Sequence, residues 1–148
     1  MVDDLLAEKA IVIERCVARI REKYHSDPST FLLDHDRQDI AVLNVLRACQ
    51  ACIDMGQILV RHRRLGLPKS SRDVFRLLQQ AGVINPKLAE NLQRMAGFRN
   101  IAVHDYQAME GSILVEIIEN HLNDFSEFSQ AVLRQGDAAP DAHSWNLG

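Results

Sequence analysis

Apolar side chains recur every three or four residues along almost the whole chain, which is the spacing of α-helices with one buried face. The stripe through Leu5, Val12, Cys16 and Ile20 predicts a first helix over about residues 3–24. Only seven glycines and four prolines occur among the 148 residues, which disfavours a fold of many short strands and turns. The sequence therefore predicts an all-α protein.

Capping and stop signals divide this pattern into a bundle of five helices with short connections and antiparallel neighbours. Asp34 or Asp36 suits the cap of a long second helix, and Gly66 suits its left-handed end. The remaining signals give these bounds: a third helix over 73–80 capped by Ser70 or Ser71, a fourth over 86–104 begun by Asn85-Pro86, and a fifth from Gly111 or Ser112 to about 135.

The length suits one domain, which we place at residues 1–135. Residues 136–148 have no helical period and are predicted to form an irregular C-terminal tail. The tail contains the chain's single tryptophan, Trp145.

Several features predict a protein of the cytoplasm. The three cysteines are an odd number in apolar contexts, which indicates reduced thiols rather than a disulfide framework. The start of the chain is acidic, unlike a signal peptide, and no apolar run approaches the ~20 residues that span a bilayer. The net charge of −3 excludes a polycation that coats nucleic acid, so any contact with RNA needs a local basic patch.

Two other motifs have ordinary structural explanations. Cys49 and Cys52 form a C-x-x-C in mid-helix, whereas redox pairs need an exposed cysteine at a helix start, and no second pair completes a zinc site. Asp34-His35-Asp36 lies at a predicted helix start, where acids are expected as caps. Walker A, G-x-G-x-x-G and G-x-S-x-G motifs are absent from the sequence. We expect neither a metal nor a cofactor.

A basic segment follows the second predicted helix and supplies local positive charge. The helix dipole accounts for two of its cations, and the others are candidates for contacts with RNA phosphates. Its members are Arg61, Arg63, Arg64, Lys69 and Arg72.

The segment from Gly97 to Tyr106 contains the residue types of metal-free phosphodiester cleavage. Arg99 offers a rigid fork of donors for a phosphate, and His104 can exchange protons near neutral pH. A histidine can take the proton from a ribose 2′-OH while an arginine stabilises charge on the phosphate oxygens. This reaction leaves a 2′,3′-cyclic phosphate and is confined to RNA.

The spacing of Arg99 and His104 raises a geometric difficulty. Five residues rotate a regular helix by about 140°, so the two side chains would not share a narrow face. Either the helix is distorted or ends near Val103, or the site is a wide cleft that two protomers could build.

The string Arg99-Asn100-x-x-x-His104-x-Tyr106 resembles the signature of the HEPN superfamily in its HepT toxin branch. Asn100 fills the polar position after the arginine, and Tyr106 fills the tyrosine position. The resemblance extends over residues 1–135 in size, helix number and motif position.

The resemblance implies a minimal HEPN domain that acts as a metal-independent RNase toxin, with Asn100 supporting Arg99 and His104. It also implies a homodimer whose two motifs line a cleft, and an antitoxin of the MNT nucleotidyltransferase type that transfers AMP onto Tyr106. The alternative is a non-catalytic helical module that acts through its nucleotidyltransferase partner. Retention of both Arg99 and His104 favours the enzyme.

Overall fold

The computed structural model describes residues 1–104 and 111–137. All regular secondary structure within these ranges is helical, which confirms the predicted all-α class. The elements are α1 (Val2–His25), a short 3-10 helix (Pro28–Leu33), α2 (His35–Arg63), α3 (Ser71–Gln80), α4 (Pro86–His104), α5 (Gly111–Asn120) and α6 (Leu122–Asp137).

The long helices α1 and α2 pack side by side, and α6 packs against both. Helices α3 and α4 pack against each other and against α2. The core between these layers contains four phenylalanines that are almost completely buried, and two of them, Phe75 and Phe128, meet edge to face with ring centroids 5.5 Å apart. Edge-to-face packing suits the charge distribution of aromatic rings, so this contact ties α3 to α6.

Three predicted helix caps are confirmed, although α3 begins at Ser71 and not at residue 73. The Asp34 carboxylate accepts the Arg37 backbone N–H at 3.2 Å at the start of α2. Ser70 caps α3 through the Asp73 N–H at 3.2 Å. The Asn85 side chain accepts the Leu88 N–H at 2.8 Å, and Pro86 is the first residue of α4.

The predicted number of five helices is wrong, because the described residues form seven helical elements. One addition is the 3-10 helix Pro28–Leu33, which lies between the predicted first and second helices. Its Phe31 is buried and packs edge to face on Tyr24, with centroids 5.2 Å apart. The Arg37 guanidinium holds the same turn through Thr30 Oγ1 at 2.9 Å.

The second addition arises because the predicted fifth helix is two helices, α5 and α6. At the break, the Asp124 N–H donates to the His121 carbonyl three residues back, at 3.1 Å. The Asp124 carboxylate also lies 2.9 Å from His121 Nδ1. These contacts start a new helix while the apolar stripe continues unbroken through Ile117 and Phe125, so the stripe alone predicts one helix.

The left-handed end of α2 lies at Arg64, with φ 54° and ψ 50°, and not at Gly66 as predicted. The Leu65 N–H bonds the Val60 carbonyl at 3.0 Å, and the Arg64 N–H bonds the Arg61 carbonyl at 3.3 Å, which is the Schellman pattern. Leu65 packs against the core and so fixes the position of the turn.

Helix α6 runs to Asp137, two residues beyond the predicted domain boundary at 135. The rest of the predicted tail, including Trp145, lies outside the described residues. Within those residues, no helix is both long and apolar enough to cross a bilayer.

Candidate functional site

Helix α4 carries the predicted motif at its C-terminal end. Its buried face packs into the core and includes Leu88, Leu92, Met95 and Phe98. The helix continues to His104, so the backbone rotation of about 140° from position 99 to position 104 stands.

Arg99 is half-buried, and its Nη1 donates a hydrogen bond to Asn100 Oδ1 at 3.1 Å. Consecutive helix residues do not face each other, so this bond bends the arginine around the helix. Position 104 is four residues beyond Asn100 and therefore lies on the same face. The bond thus draws the guanidinium from its own face towards the face that contains position 104.

The positive charge of Arg99 also acts on Cys49 of the neighbouring helix α2. Burial raises the pKa of Cys49 to about 12, and the positive charge of Arg99 opposes this rise. The thiol of Cys49 lies 3.8 Å from the Met95 carbonyl on α4. Helix α4 is therefore packed against the middle of α2 at Met95, one turn before Arg99.

The other two motif residues are placed less fully. His104 is the last residue of α4. Tyr106 falls in residues 105–110, outside the described residues. The structure therefore brings Arg99 and Asn100 together and puts position 104 one turn from Asn100.

The five cations of the basic segment separate into different environments. Arg61, Arg64, Lys69 and Arg72 are exposed. Arg63 is half-buried, and its guanidinium donates to the Gln135 carbonyl near the end of α6. Arg63 thus joins two helix ends, whereas the other four present their charge to solvent.

Arg72 is the cation that reaches the motif helix. Its guanidinium lies against α4 at Gly97, where an added methyl group would overlap Nη2 and lie 3.5 Å from Cζ. The contact is two residues before Arg99 and joins positions 25 residues apart in sequence. Sequence patterns do not reveal it, although a glycine inside a helix is a signal for a close approach.

The two weaker motifs take the structural roles expected of them. Cys16, Cys49 and Cys52 are all buried free thiols, and burial raises the pKa of each. Asp34 serves as the cap of α2. In the ranges 1–104 and 111–137, no three His, Cys, Asp or Glu side chains are grouped as a metal site would require.

A groove of about 330 Å³ lies between α4 and α5 and was not predicted. Asn91 lines it, donates to the Asp124 carboxylate at 3.2 Å and is joined through Asp124 to His121. Phe98 lines the same groove and is two residues, or about 200°, from Asn100. The groove therefore opens on a different face of α4 from the Asn100 side of the motif.

Comparison with known proteins shows to which family this architecture belongs. The sequence model of the family described as ribonuclease HepT-like matches residues 13–132, a range that contains the whole motif and the basic segment. The chain belongs to the ribonuclease HepT-like family.

A curated relative supports the assignment. The mRNA nuclease HepT of Shewanella oneidensis is 43% identical over 130 residues, which cover 88% of this chain and 97% of the relative. The prediction of an endoribonuclease is thereby confirmed for this HepT-like chain, as is the resemblance to the HepT branch.

Two solved structures share the fold at the same identity of 43%. One is a toxin–antitoxin complex with AMP-PNP, with a TM-score of 0.83 over 87% of this chain and 97% of that chain. The other is the tri-AMPylated Shewanella oneidensis HEPN toxin in complex with MNT antitoxin, with a TM-score of 0.82 over 87% and 96%. The HepT-like fold of this chain is therefore that of HEPN toxins solved with their antitoxins.

Proposed function

We propose that this HepT-like protein is a metal-independent endoribonuclease toxin in which His104 and Arg99 perform the chemistry. The observation that carries the proposal is the Arg99–Asn100 hydrogen bond on the helix that ends at His104, inside the region matched by a ribonuclease family. The bond turns a phosphate-binding fork towards the helix face of position 104, where the sequence has a histidine, the side chain suited to exchange protons near neutral pH.

The proposed step is a transfer within the RNA strand. His104 takes the proton of a ribose 2′-OH, and the 2′-oxygen attacks the adjacent phosphorus. The bond from phosphorus to the 5′-oxygen breaks, and His104, now acting as general acid, gives its proton to that oxygen. Arg99 stabilises the charge on the phosphate oxygens, and Asn100 orients Arg99. The products are a 2′,3′-cyclic phosphate end and a 5′-hydroxyl end.

The test combines toxicity in cells with cleavage by purified protein in EDTA. Arg99→Ala and His104→Ala should abolish toxicity, and His104→Ala should slow cleavage about 10²–10⁴-fold. Arg94→Ala is the matched control, because Arg94 is an exposed residue of α4 that pairs with Glu90 at 2.7 Å. Equal toxicity of all variants would favour the non-catalytic module, and loss of cleavage in EDTA would contradict metal independence.

The RNA backbone would be held by the exposed cations of the basic segment. Arg61, Arg64, Lys69 and Arg72 supply positive charge on a protein whose net charge is −3. We assign Arg63 to packing, because its guanidinium is bonded to the end of α6. RNA, not DNA, is the expected substrate, because the attacking group is the 2′-hydroxyl.

We propose that the active form is a homodimer with the two motifs lining one cleft. Arg99 and His104 start from helix positions about 140° apart, and a second motif facing the first would widen the phosphate-binding surface. A two-fold interface is the usual arrangement of homo-oligomers. Light scattering at micromolar concentration should show a dimer, and a stable monomer that still cleaves RNA would contradict this arrangement.

We propose that a cognate MNT-type nucleotidyltransferase neutralises the toxin in the cytoplasm. The similarity to the tri-AMPylated HEPN toxin bound to MNT antitoxin supports this partner. The Tyr106 oxygen would attack the α-phosphorus of ATP, lose its proton and release pyrophosphate. The attached phosphate would then compete with RNA for Arg99.

Intact mass after coexpression tests this modification. The wild type should gain one or more AMP groups, and Tyr106→Phe should gain none and escape enzymatic neutralisation. A fully neutralised wild type with unmodified Tyr106 would show that binding alone neutralises the toxin.

A further inference from the structure

Arg72 lies in the first turn of α3, and its side chain reaches across to α4. The atoms nearest to a methyl group built on Gly97 are Nη2, Cζ and Nε of Arg72, the last two at 3.5 and 3.8 Å. The guanidinium therefore occupies the space that any side chain at position 97 would fill.

The placement of Arg72 does not favour stability of the fold. Cations are disfavoured in the first turn of a helix, where the dipole is positive. The neighbouring acid, Asp73, is engaged by the Lys69 N–H at 2.8 Å and by Arg76 at 3.1 Å. Among the backbone and side chains that the structure describes, Arg72 has neither a hydrogen-bond partner nor an acidic partner, and it is exposed.

Gly97 is also a poor choice for the fold alone. Glycine within a helix is less favourable than alanine, because its backbone loses more freedom on folding. The three atoms nearest to the absent side chain all belong to Arg72. The space left by Gly97 is therefore used by the Arg72 guanidinium.

This space is on the same side of α4 as the end of the motif. Position 104 is seven residues beyond Gly97, which returns a regular helix to within about 20° of the same direction and about 10.5 Å along its axis. Asn100 lies between them, one turn from each. The Arg72 guanidinium at Gly97 therefore lies along the same face of α4 as position 104 of the proposed cleavage site.

We propose that Arg72 binds an RNA phosphate next to the one that is cleaved, and that Gly97 keeps the space in which its guanidinium lies. The inference rests on the proposed function, since it takes RNA as the substrate. Because Arg72 has no carboxylate partner among the described side chains, its fork of donors is available to a phosphate, which an arginine binds through two parallel hydrogen bonds. Arg72 is a substrate-binding residue in this account and takes no part in proton transfer.

The first test compares Arg72→Gln with Arg76→Gln, a matched control on the same helix whose arginine is paired with Asp73. With a short RNA substrate, Arg72→Gln should raise KM and leave kcat within about twofold, since the lost contact is uniform binding. Binding of uncleaved RNA is measured in the His104→Ala background as a function of salt concentration. The slope of the logarithm of the binding constant against the logarithm of salt concentration should fall by about one, as expected for the loss of one phosphate contact. Arg76→Gln should change neither quantity.

The second test moves the guanidinium without removing it. Gly97→Ala should keep or raise the melting temperature, because alanine favours the helix and the clashing atom is the end of a flexible side chain. The same variant should raise KM and reduce the salt dependence of RNA binding, as Arg72→Gln does.

The outcomes separate this inference from the proposed function. A wild type that cleaves no RNA would contradict the proposed function. A wild type that cleaves, with Arg72→Gln and Gly97→Ala unchanged in KM and salt dependence, would overturn only the role of Arg72. A Gly97→Ala variant that melts at a lower temperature, together with normal RNA binding by Arg72→Gln, would show that the contact only packs α3 on α4.

Discussion

Arg99 and Asn100 are joined by a hydrogen bond of 3.1 Å from Nη1 to Oδ1, although neighbouring residues of a helix point about 100° apart. The bond turns the guanidinium towards the face shared by positions 100 and 104. The geometric effect of the polar residue after the arginine is therefore to reduce the angle between the guanidinium and the direction of position 104 on the helix. The remaining N–H groups of the guanidinium are left for a phosphate.

Asn100→Ala should lower kcat for RNA cleavage by about tenfold, because the loss of one hydrogen bond to a charged group corresponds to about 1.5 kcal/mol. The melting temperature should stay near that of the wild type, since Asn100 is exposed. Asn120→Ala, at an exposed asparagine of α5, is the control for a general effect of the substitution. Unchanged kcat in Asn100→Ala would show that Arg99 reaches its working position without this bond.

Arg63→Ala should destabilise the fold by about 1–3 kcal/mol, because a half-buried carbonyl at Gln135 loses a charged donor. Arg61→Ala removes an exposed cation two residues earlier and should change the free energy of unfolding by less than about 0.5 kcal/mol. Urea titrations of the two variants measure the difference. Equal stabilities would show that the Arg63–Gln135 contact does not hold the ends of α2 and α6 together.

Stability should fall in alkaline solution. Burial raises the pKa of Cys49 from 9.0 to about 12, so this thiol stays protonated in the folded state while the unfolded chain releases its proton. The contribution of the protonated Cys49 thiol to the free energy of unfolding is complete below pH 9. It is lost as the pH rises towards 12, at up to about 1.4 kcal/mol per pH unit. Cys52 and Cys16 are shifted in the same direction.

Denaturant titrations between pH 8 and pH 11 measure this loss, and Cys49→Ala should make the dependence on pH shallower by about one proton. Rapid alkylation of native protein at Cys49 near pH 8 would contradict the account, because it would require an accessible thiolate.

Capping signals in the sequence predict the helix starts that depend on contacts between residues close together in the chain. Asp34, Ser70 and Asn85 each cap a helix through a backbone N–H three residues away, so a short stretch of sequence contains both partners. The bounds of α4 followed from such signals, and the motif residues on it were predicted from chemistry and from the resemblance to HEPN toxins.

Features that depend on distant contacts were not predictable in the same way. The left-handed turn falls at Arg64 because the next residue, Leu65, packs on the core. At the break between α5 and α6, Asp124 contacts His121 and also accepts a hydrogen bond at 3.2 Å from Asn91 of α4, which is 33 residues away in sequence. The contact between Arg72 and Gly97 depends on how α3 packs against α4, and the hydrophobic periodicity of the sequence does not predict that packing.

The fate of a single RNA linkage shows whether the 2′-hydroxyl attacks the phosphorus. A short oligonucleotide that the protein cleaves at one position is compared with the same strand carrying a 2′-deoxyribose immediately 5′ to that position, both in EDTA, and the fragments are weighed by mass spectrometry. Attack by the 2′-hydroxyl should give a 2′,3′-cyclic phosphate and a 5′-hydroxyl from the first strand, with no cleavage at that linkage in the second. Cleavage of the deoxy-substituted linkage, or a product ending in a 5′-phosphate, would contradict attack by the 2′-hydroxyl.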